Sequence, residues 1–136
     1  MTRRTLLWGL SSSTLFDGSD WKAFRTPTQT TDPEASWRIH GRALESIPDA
    51  RRQCDLWTVR EFDDFDLRFE WKVAPGANTG IKYLIQGSAV DRLRDAQGEF
   101  LHEATLGYEF QLVDDAAAAG NAPLHASGAL YNYLAP

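Results

Sequence analysis

The feature that most constrains the fold is an unbroken alternation of apolar and polar residues over positions 65–73. Its apolar set is Phe65, Leu67, Phe69, Trp71 and Val73, and its polar set is Asp66, Arg68, Glu70 and Lys72. Because successive strand residues point to opposite faces, nine residues at period two predict a β-strand with one buried face. Residues 75–80 predict a turn, and residues 81–86 predict the returning antiparallel strand.

A second alternating stretch covers residues 107–115, which open on Gly107 and close on an Asp pair. Its apolar face would carry Tyr108, Phe110 and Leu112, and its other face Glu109, Gln111 and Val113. The carboxylate of Glu109 and the carboxamide of Gln111 suit a small hydroxylated ligand. Spacing alone favours a solvated outer face, so both interpretations stay open for this strand.

The rest of the chain alternates short apolar runs with turn and loop residues. The pattern predicts a hairpin over 37–46 that turns at 40–42, a short strand over 56–59 and a strand over 127–133. Residues 90–96 are interpreted as a turn or two of helix. Many short strands with no heptad, repeat or long amphipathic helix predict an all-β antiparallel sandwich or barrel.

Length and charge exclude several classes of protein. A chain of 136 residues amounts to one domain, and its net charge of −5 with no basic face argues against nucleic acid as a partner. No stretch approaches the roughly 20 apolar residues of a membrane span. Cys54 is the single cysteine, so no disulfide framework can form within the chain.

The N-terminus divides from the rest at position 13. Arg3 and Arg4 look like the start of a twin-arginine export signal, but the apolar run that follows stops at Leu10. A signal peptide needs an apolar core of about 7–15 residues and a cleavage site. We therefore predict an N-terminal extension over 1–13, with a remnant signal as the alternative, and one β-sandwich domain over 14–136.

If the three strands that carry polar faces share one sheet, their outward side chains form one polar surface. Its members would be Arg68, Glu70, Lys72, Lys82, Gln86, Glu109 and Gln111. On a convex sheet this surface would be a solvated face with weak ion pairs, and on a concave sheet it would be a carbohydrate cleft. Ordinary two-carboxylate hydrolysis is weakly supported, because the same-face neighbour of Glu109 is an amide, which leaves only Glu70 as a second acid from another strand.

The histidines add a further alternative. His102 and His125 are predicted to lie in loops that flank the strand of Glu109. A metal site made from them with Glu109 or Asp114 stays open, although the spacing matches no ligand signature.

Four segments, in order, resemble the 3-keto-disaccharide hydrolase family, formerly a domain of unknown function. They are residues 15–18 with Trp21, residues 65–71 running into 75–81, residues 107–114, and residues 127–131 with Ala135 and Pro136. The resemblance spans residues 15–136, nearly the whole chain. It implies a concanavalin A-like (lectin/glucanase type) jelly-roll sandwich whose concave face acts on glycosides oxidised at carbon 3. It also implies a periplasmic or extracellular location, although no intact signal peptide is visible.

The implied reaction needs one base and a positive charge. A 3-keto group acidifies the hydrogen on carbon 2, so a base can remove it while the group on carbon 1 leaves, and water then adds. Under the resemblance the catalytic candidates are Glu109 as base or metal ligand, Lys82 or Arg68 as electrostatic stabiliser, and Glu70. The sugar-binding candidates are Gln111, Arg68, Asp114, Tyr131 and Asn78. The metal ligands stay unassigned, although the chemistry is compatible with a divalent metal.

The competing prediction is a non-catalytic carbohydrate-binding module, or an inactive fragment, on the same fold. Members of the family continue past the Ala-Pro element with further strands. We therefore expect the sandwich to be incomplete at its C-terminal end, with glycoside cleavage a property of the full-length form.

Overall fold

The computed structural model describes residues 13–85, 90–98, 100–116 and 123–136. The strands are β1 (Phe24–Arg25), β2 (Trp37–His40), β3 (Ala43–Ser46), β4 (Gln53–Cys54), β5 (Trp57–Thr58), β6 (Asn78–Tyr83), β7 (Val90–Arg94), β8 (Phe100–Thr105) and β9 (Tyr108–Val113). Short 3₁₀ helices span Pro33–Ala35 and Pro123–His125. The predicted extension over 1–13 lies outside the described residues except for its last position.

The prediction of an all-β fold is confirmed. Strands β1–β5, β2–β3 and β6–β9 pair antiparallel, and β8 is shared between antiparallel β7 and parallel β4. The jelly-roll order of the strands stays a prediction. None of the helices in the described ranges is long and apolar enough to cross a membrane.

The predicted hairpin over 37–46 is confirmed as β2–β3, with Trp37 opposite Ser46 and His40 opposite Ala43. Gly41 takes a φ of 63° at the turn, a conformation that favours glycine. Trp37 is half-buried while its neighbour in the strand is exposed, as the alternation requires.

The strand predicted over 65–73 is wrong for this structure. Those residues run without helix, turn or bend, but none pairs in a sheet with another described residue, and their side chains are almost all exposed. Side-chain alternation supplies strand propensity, whereas a strand also needs a hydrogen-bonded neighbour. The predicted neighbour includes part of β6, which pairs with β9 along one edge and with no described strand along the other.

That pairing also corrects the turn predicted over 75–80. The turn closes earlier, with Ala77 N–H donating to Ala74 O at 3.0 Å and Gly76 N–H to Asp114 Oδ2 at 2.8 Å. Strand β6 therefore begins at Asn78, inside the predicted turn. The segment 81–86 is β-structure only to Tyr83, and Gln86 lies outside the described residues.

Two further predictions are wrong. Residues 90–94 form β7 and not helix, because pairing with β8 satisfies their backbone groups around a turn at Gly98, where φ is 82°. Residues 127–133 form turns and not a strand, since Gly128 and Asn132 take φ values of 88° and 63°. This segment still runs along β9, where Tyr131 N–H donates to Glu109 O at 2.9 Å.

The strand predicted over 107–115 is confirmed as β9, but on its apolar face only Leu112, at 5% exposed, is buried as predicted. Gln111 and Val113 are 2% and 7% exposed, whereas Tyr108 and Phe110 are 42% and 39% exposed. The two faces differ because different residues pack against them. The face of Phe110 is contacted by single rings such as that of Phe69, with 6.4 Å between the two ring centroids. The polar face is the more enclosed of the two.

Candidate functional site

The candidate site lies on the enclosed face of the β6–β9 ladder. Directly opposed residues of an antiparallel pair point to the same side of the sheet. The register places Lys82 opposite Glu109, Gly80 opposite Gln111 and Asn78 opposite Val113. Sequence analysis assigned Glu109, Lys82, Gln111 and Asn78 to the site, and the fold brings these four together on one face.

Glu109 is the half-buried acid of this face. Its side chain lies over Gly80, where an added Cβ would come within 2.5 Å of Glu109 Cγ and 2.7 Å of Cδ. Burial raises the pKa of the Glu109 carboxyl above its ordinary value of 4.5; the positive charge of Lys82 opposes that rise, and the negative charge of Asp55 adds to it. The glycine is therefore what allows the carboxyl to lie against the strand in this partly dehydrated position.

Lys82 is held by a residue that sequence analysis did not find. Its ammonium Nζ lies 3.0 Å from Asp55 Oδ2, and both side chains are mostly covered, at 22% and 30% exposed. The same Asp55 oxygen accepts a hydrogen bond of 2.7 Å from the backbone N–H of Thr105. No local pattern marks Asp55, because its role depends on contacts made across 50 residues of sequence.

Gln111 does not face solvent as predicted for a sugar-hydroxyl ligand. It is buried, and its Nε2 donates to Asn78 Oδ1 at 2.6 Å. Asn78 is exposed at the start of β6. The structure thus presents the Asn78 amide to solvent and uses Gln111 to hold it.

Asp114 and Tyr131 lie beside the site and have other contacts. The Asp114 carboxylate accepts hydrogen bonds from Gly76 N–H at 2.8 Å and Ala116 N–H at 3.2 Å, which fix two turns. The Tyr131 ring is 37% exposed and stacks on His125 with 4.9 Å between centroids. Asp114 lies near the end of β9 because it follows that strand directly in the chain. Tyr131 lies near the start of β9 because its N–H donates to Glu109 O.

Arg68 and Glu70 are not brought into the cluster by strand pairing. Both lie in the exposed segment 65–73, and the Arg68 guanidinium contacts Asp66 Oδ2 at 3.4 Å. The polar surface predicted from three adjacent strands is therefore reduced to the face of two strands, with Asp55 added from the loop before β5.

The histidine-based alternative gains no support from the geometry. His102 lies in β8 and not in a loop as predicted, and His125 ends a short 3₁₀ helix, where its Nε2 lies 2.7 Å from Asn132 Oδ1. Over the described ranges no group of three or more His, Cys, Asp or Glu side chains is arranged to hold a metal ion.

The arrangement can perform proton transfer beside a fixed positive charge. A carboxyl with a raised pKa accepts a proton at a pH closer to neutral than an exposed one does. The Lys82 ammonium beside it can stabilise negative charge that develops on a bound molecule.

Comparison with known proteins identifies the family of this chain. The profile of the 3-keto-alpha-glucoside-1,2-lyase-like domain matches residues 11–135. The chain belongs to this family. A 3-keto-disaccharide hydrolase of Bacteroides thetaiotaomicron is 33% identical over 79 residues, which are 54% of this chain and 27% of that protein. The resemblance inferred from the four sequence segments is confirmed, and the chain matches about a quarter of the length of this curated relative.

Proposed function

We propose that this 3-keto-alpha-glucoside-1,2-lyase-like domain cleaves 3-keto-glycosides through proton abstraction at carbon 2 of the oxidised sugar. The observation that carries the proposal is the pair formed by Glu109 and Lys82, a half-buried carboxyl of raised pKa directly opposite a fixed ammonium. Family membership supplies the substrate class, a small carbohydrate bearing a ketone at carbon 3.

In the proposed reaction Glu109 removes the hydrogen on carbon 2. The electrons of that C–H bond form an enediolate with the 3-keto oxygen, and Lys82 stabilises the negative charge on this oxygen. The electrons of the enediolate then re-form the ketone and a double bond between carbons 1 and 2, while the bond between carbon 1 and the glycosidic oxygen breaks. The departing oxygen takes up the proton held by Glu109, which returns the carboxylate to its starting state. Addition of water across this bond, hydroxyl to carbon 1 and proton to carbon 2, gives net hydrolysis without oxidant or reductant.

This route fits the acids of the site better than two-carboxylate hydrolysis does. Hydrolysis by direct displacement needs a second carboxyl free to act as acid or nucleophile. Burial is the main cause of the raised pKa of Glu109, and the nearby carboxylate of Asp55 only adds to it. Asp55 is not free for such a role, because its Oδ2 is bound to Lys82 and to the Thr105 N–H. We assign Asp55 the role of a positioning residue for Lys82.

Substrate contacts are proposed for the exposed groups at the rim. Asn78 offers its amide to the sugar hydroxyls, with Gln111 acting through it, and the exposed ring of Tyr131 offers an aromatic face. Lys82 supplies the positive charge that the enediolate needs.

The test is release of the leaving sugar from a 3-keto disaccharide and from its unoxidised counterpart, with and without chelator. We expect turnover of the 3-keto substrate alone, unaffected by chelator, and a loss of roughly 10²–10⁴-fold in Glu109→Gln. Glu45→Gln is the matched control, because Glu45 lies on the β2–β3 hairpin and contacts Arg38. Equal activity in Glu109→Gln, or binding of the 3-keto sugar without turnover, would contradict the proposal.

A further inference from the structure

The segment 65–73 has the properties of a strand and lacks a partner in the described part of the chain. Its large apolar side chains are exposed to solvent, with values of 53% for Phe65, 40% for Leu67, 41% for Phe69 and 48% for Trp71. Its main-chain N–H and C=O groups form no hydrogen bond with another described residue. A segment with one exposed apolar face and open backbone groups is a template for pairing with another chain.

The charges of this segment are arranged symmetrically about Phe69. Reversing the direction of the segment about that residue places Asp66 opposite Lys72 and Arg68 opposite Glu70. The same reversal places Leu67 opposite Trp71 and Phe65 opposite Val73, on the other face. Opposite charges and aromatic or branched apolar pairs are the cross-strand combinations that stabilise antiparallel pairing.

We propose that residues 65–73 pair antiparallel with the same residues of a second copy of this chain, with Phe69 on the two-fold axis. Each favourable pair then occurs twice, as an interface between identical surfaces requires. The two Phe69 side chains stand next to each other across the axis, on the face that contacts Phe110 within each copy. The proposal is independent of the reaction assigned to Glu109.

The charge pattern also excludes the neighbouring registers. A shift of the pairing by two residues in one direction sets Arg68 against Arg68, and in the other direction it sets Glu70 against Glu70. Parallel pairing in register opposes every charge to itself. Since like charges directly opposite are destabilising, the sequence favours the one antiparallel register centred on Phe69.

The test is the molar mass of the full chain in solution over a concentration series, measured by sedimentation equilibrium. We expect a mass of about twice 15.3 kDa at the upper concentrations. Position 68 of each copy faces position 70 of the other, so these pairs occur twice near the axis. The variant Arg68→Glu places two glutamates opposite each other in both pairs, and Glu70→Arg places two arginines opposite each other in both. Each variant should raise the dimer dissociation constant by roughly tenfold or more.

Two further experiments distinguish the loss of charge pairing from damage to the fold. The double variant Arg68→Glu/Glu70→Arg regains opposite charges, so it should dimerise as the unchanged chain does. An equimolar mixture of the two single variants should form heterodimers, because each copy then offers the charges that the other lacks. Circular dichroism of every variant checks that the β-structure is kept.

A monomeric mass at every concentration, as expected where a different polypeptide covers the segment, would overturn the proposal. Single variants that dimerise as well as the unchanged chain would also overturn it. The same holds for single variants whose loss is recovered neither in the double variant nor in the mixture.

Discussion

Lys82 lies directly opposite Glu109 in the β6–β9 ladder, yet its ammonium contacts the carboxylate of Asp55, with 3.0 Å between Nζ and Oδ2. The lysine is thus held beside Glu109 by a third residue. Because the pKa of Glu109 rises through burial and not through loss of the cation, the site keeps both a base and a positive charge.

The pH dependence of turnover should follow from these three charges. The base must be deprotonated, so kcat/KM should rise with pH through a pKa above the ordinary value of 4.5. Lys82→Gln removes the charge that lowers this pKa, and should move the rising limb to higher pH. Asp55→Asn removes a charge that raises it, and should move the limb to lower pH; shifts in the same direction for both variants would contradict the account.

The stability of the protein should change with pH in the direction opposite to kcat/KM. A carboxyl whose pKa is raised by folding stabilises the fold fully below the unfolded pKa of 4.5, and this contribution is lost as pH rises through the folded pKa. Glu109→Gln should therefore unfold at higher denaturant concentration than the unchanged chain at pH 7. We expect a gain of at most about 1 kcal/mol, because solvent screens a half-exposed carboxylate. A loss of stability at pH 7 would count against the cost assigned to its burial.

Gly80→Ala should damage the site more than the fold. An alanine Cβ would lie within 2.5 Å of Glu109 Cγ, so the flexible Glu109 side chain must leave its place. We expect kcat to fall by roughly 10-fold or more, since misplacement of a base by about 1 Å has large effects. Thr79→Ala, one position away on the opposite face of β6, is the control for a change in this strand. Unchanged kcat in Gly80→Ala would show that the position of Glu109 is not limiting.

The proposed contact between Asn78 and substrate predicts an effect on KM. Asn78→Ala should raise KM by about 3- to 10-fold with little change in kcat, the effect of one lost hydrogen bond. Gln111→Leu should do the same by releasing Asn78. If Gln111 acts through Asn78, the double variant should have the KM of Asn78→Ala alone. Additive losses would instead indicate that Gln111 contacts the sugar itself.

Local pattern predicted one pair of strands that are close in sequence and one strand whose partner is distant. The β2–β3 hairpin and β9 are where alternation places them. Residues 65–73 have the same alternation and no pairing, because a ladder depends on a distant neighbour that side-chain pattern does not specify. The reversed burial of Gln111 and Phe110 has the same origin, since the cover over each face comes from elsewhere in the chain.

The candidate site was predicted in part for the same reason. Glu109 and Gln111 follow from the alternation of one predicted strand and Lys82 from that of another, whereas Asn78 was a candidate under the resemblance to the family. Asp55 could not be found, because only the fold brings the loop after β4 to Lys82 and the Thr105 N–H. Arg68 and Glu70 were grouped with the site because residues 65–73 were expected in one sheet with the strands of Lys82 and Glu109, and they pair with no described strand.

The most direct test of the account is the position of deuterium in the product formed from a 3-keto disaccharide in D₂O. Elimination followed by hydration predicts one solvent deuteron at carbon 2 of the released 3-keto sugar at early times. The hydrogen on carbon 4, which is also next to the ketone, is an internal control for exchange without the enzyme. A product that keeps its original hydrogen at carbon 2 would contradict proton abstraction by Glu109 and indicate direct hydrolysis of the glycosidic bond.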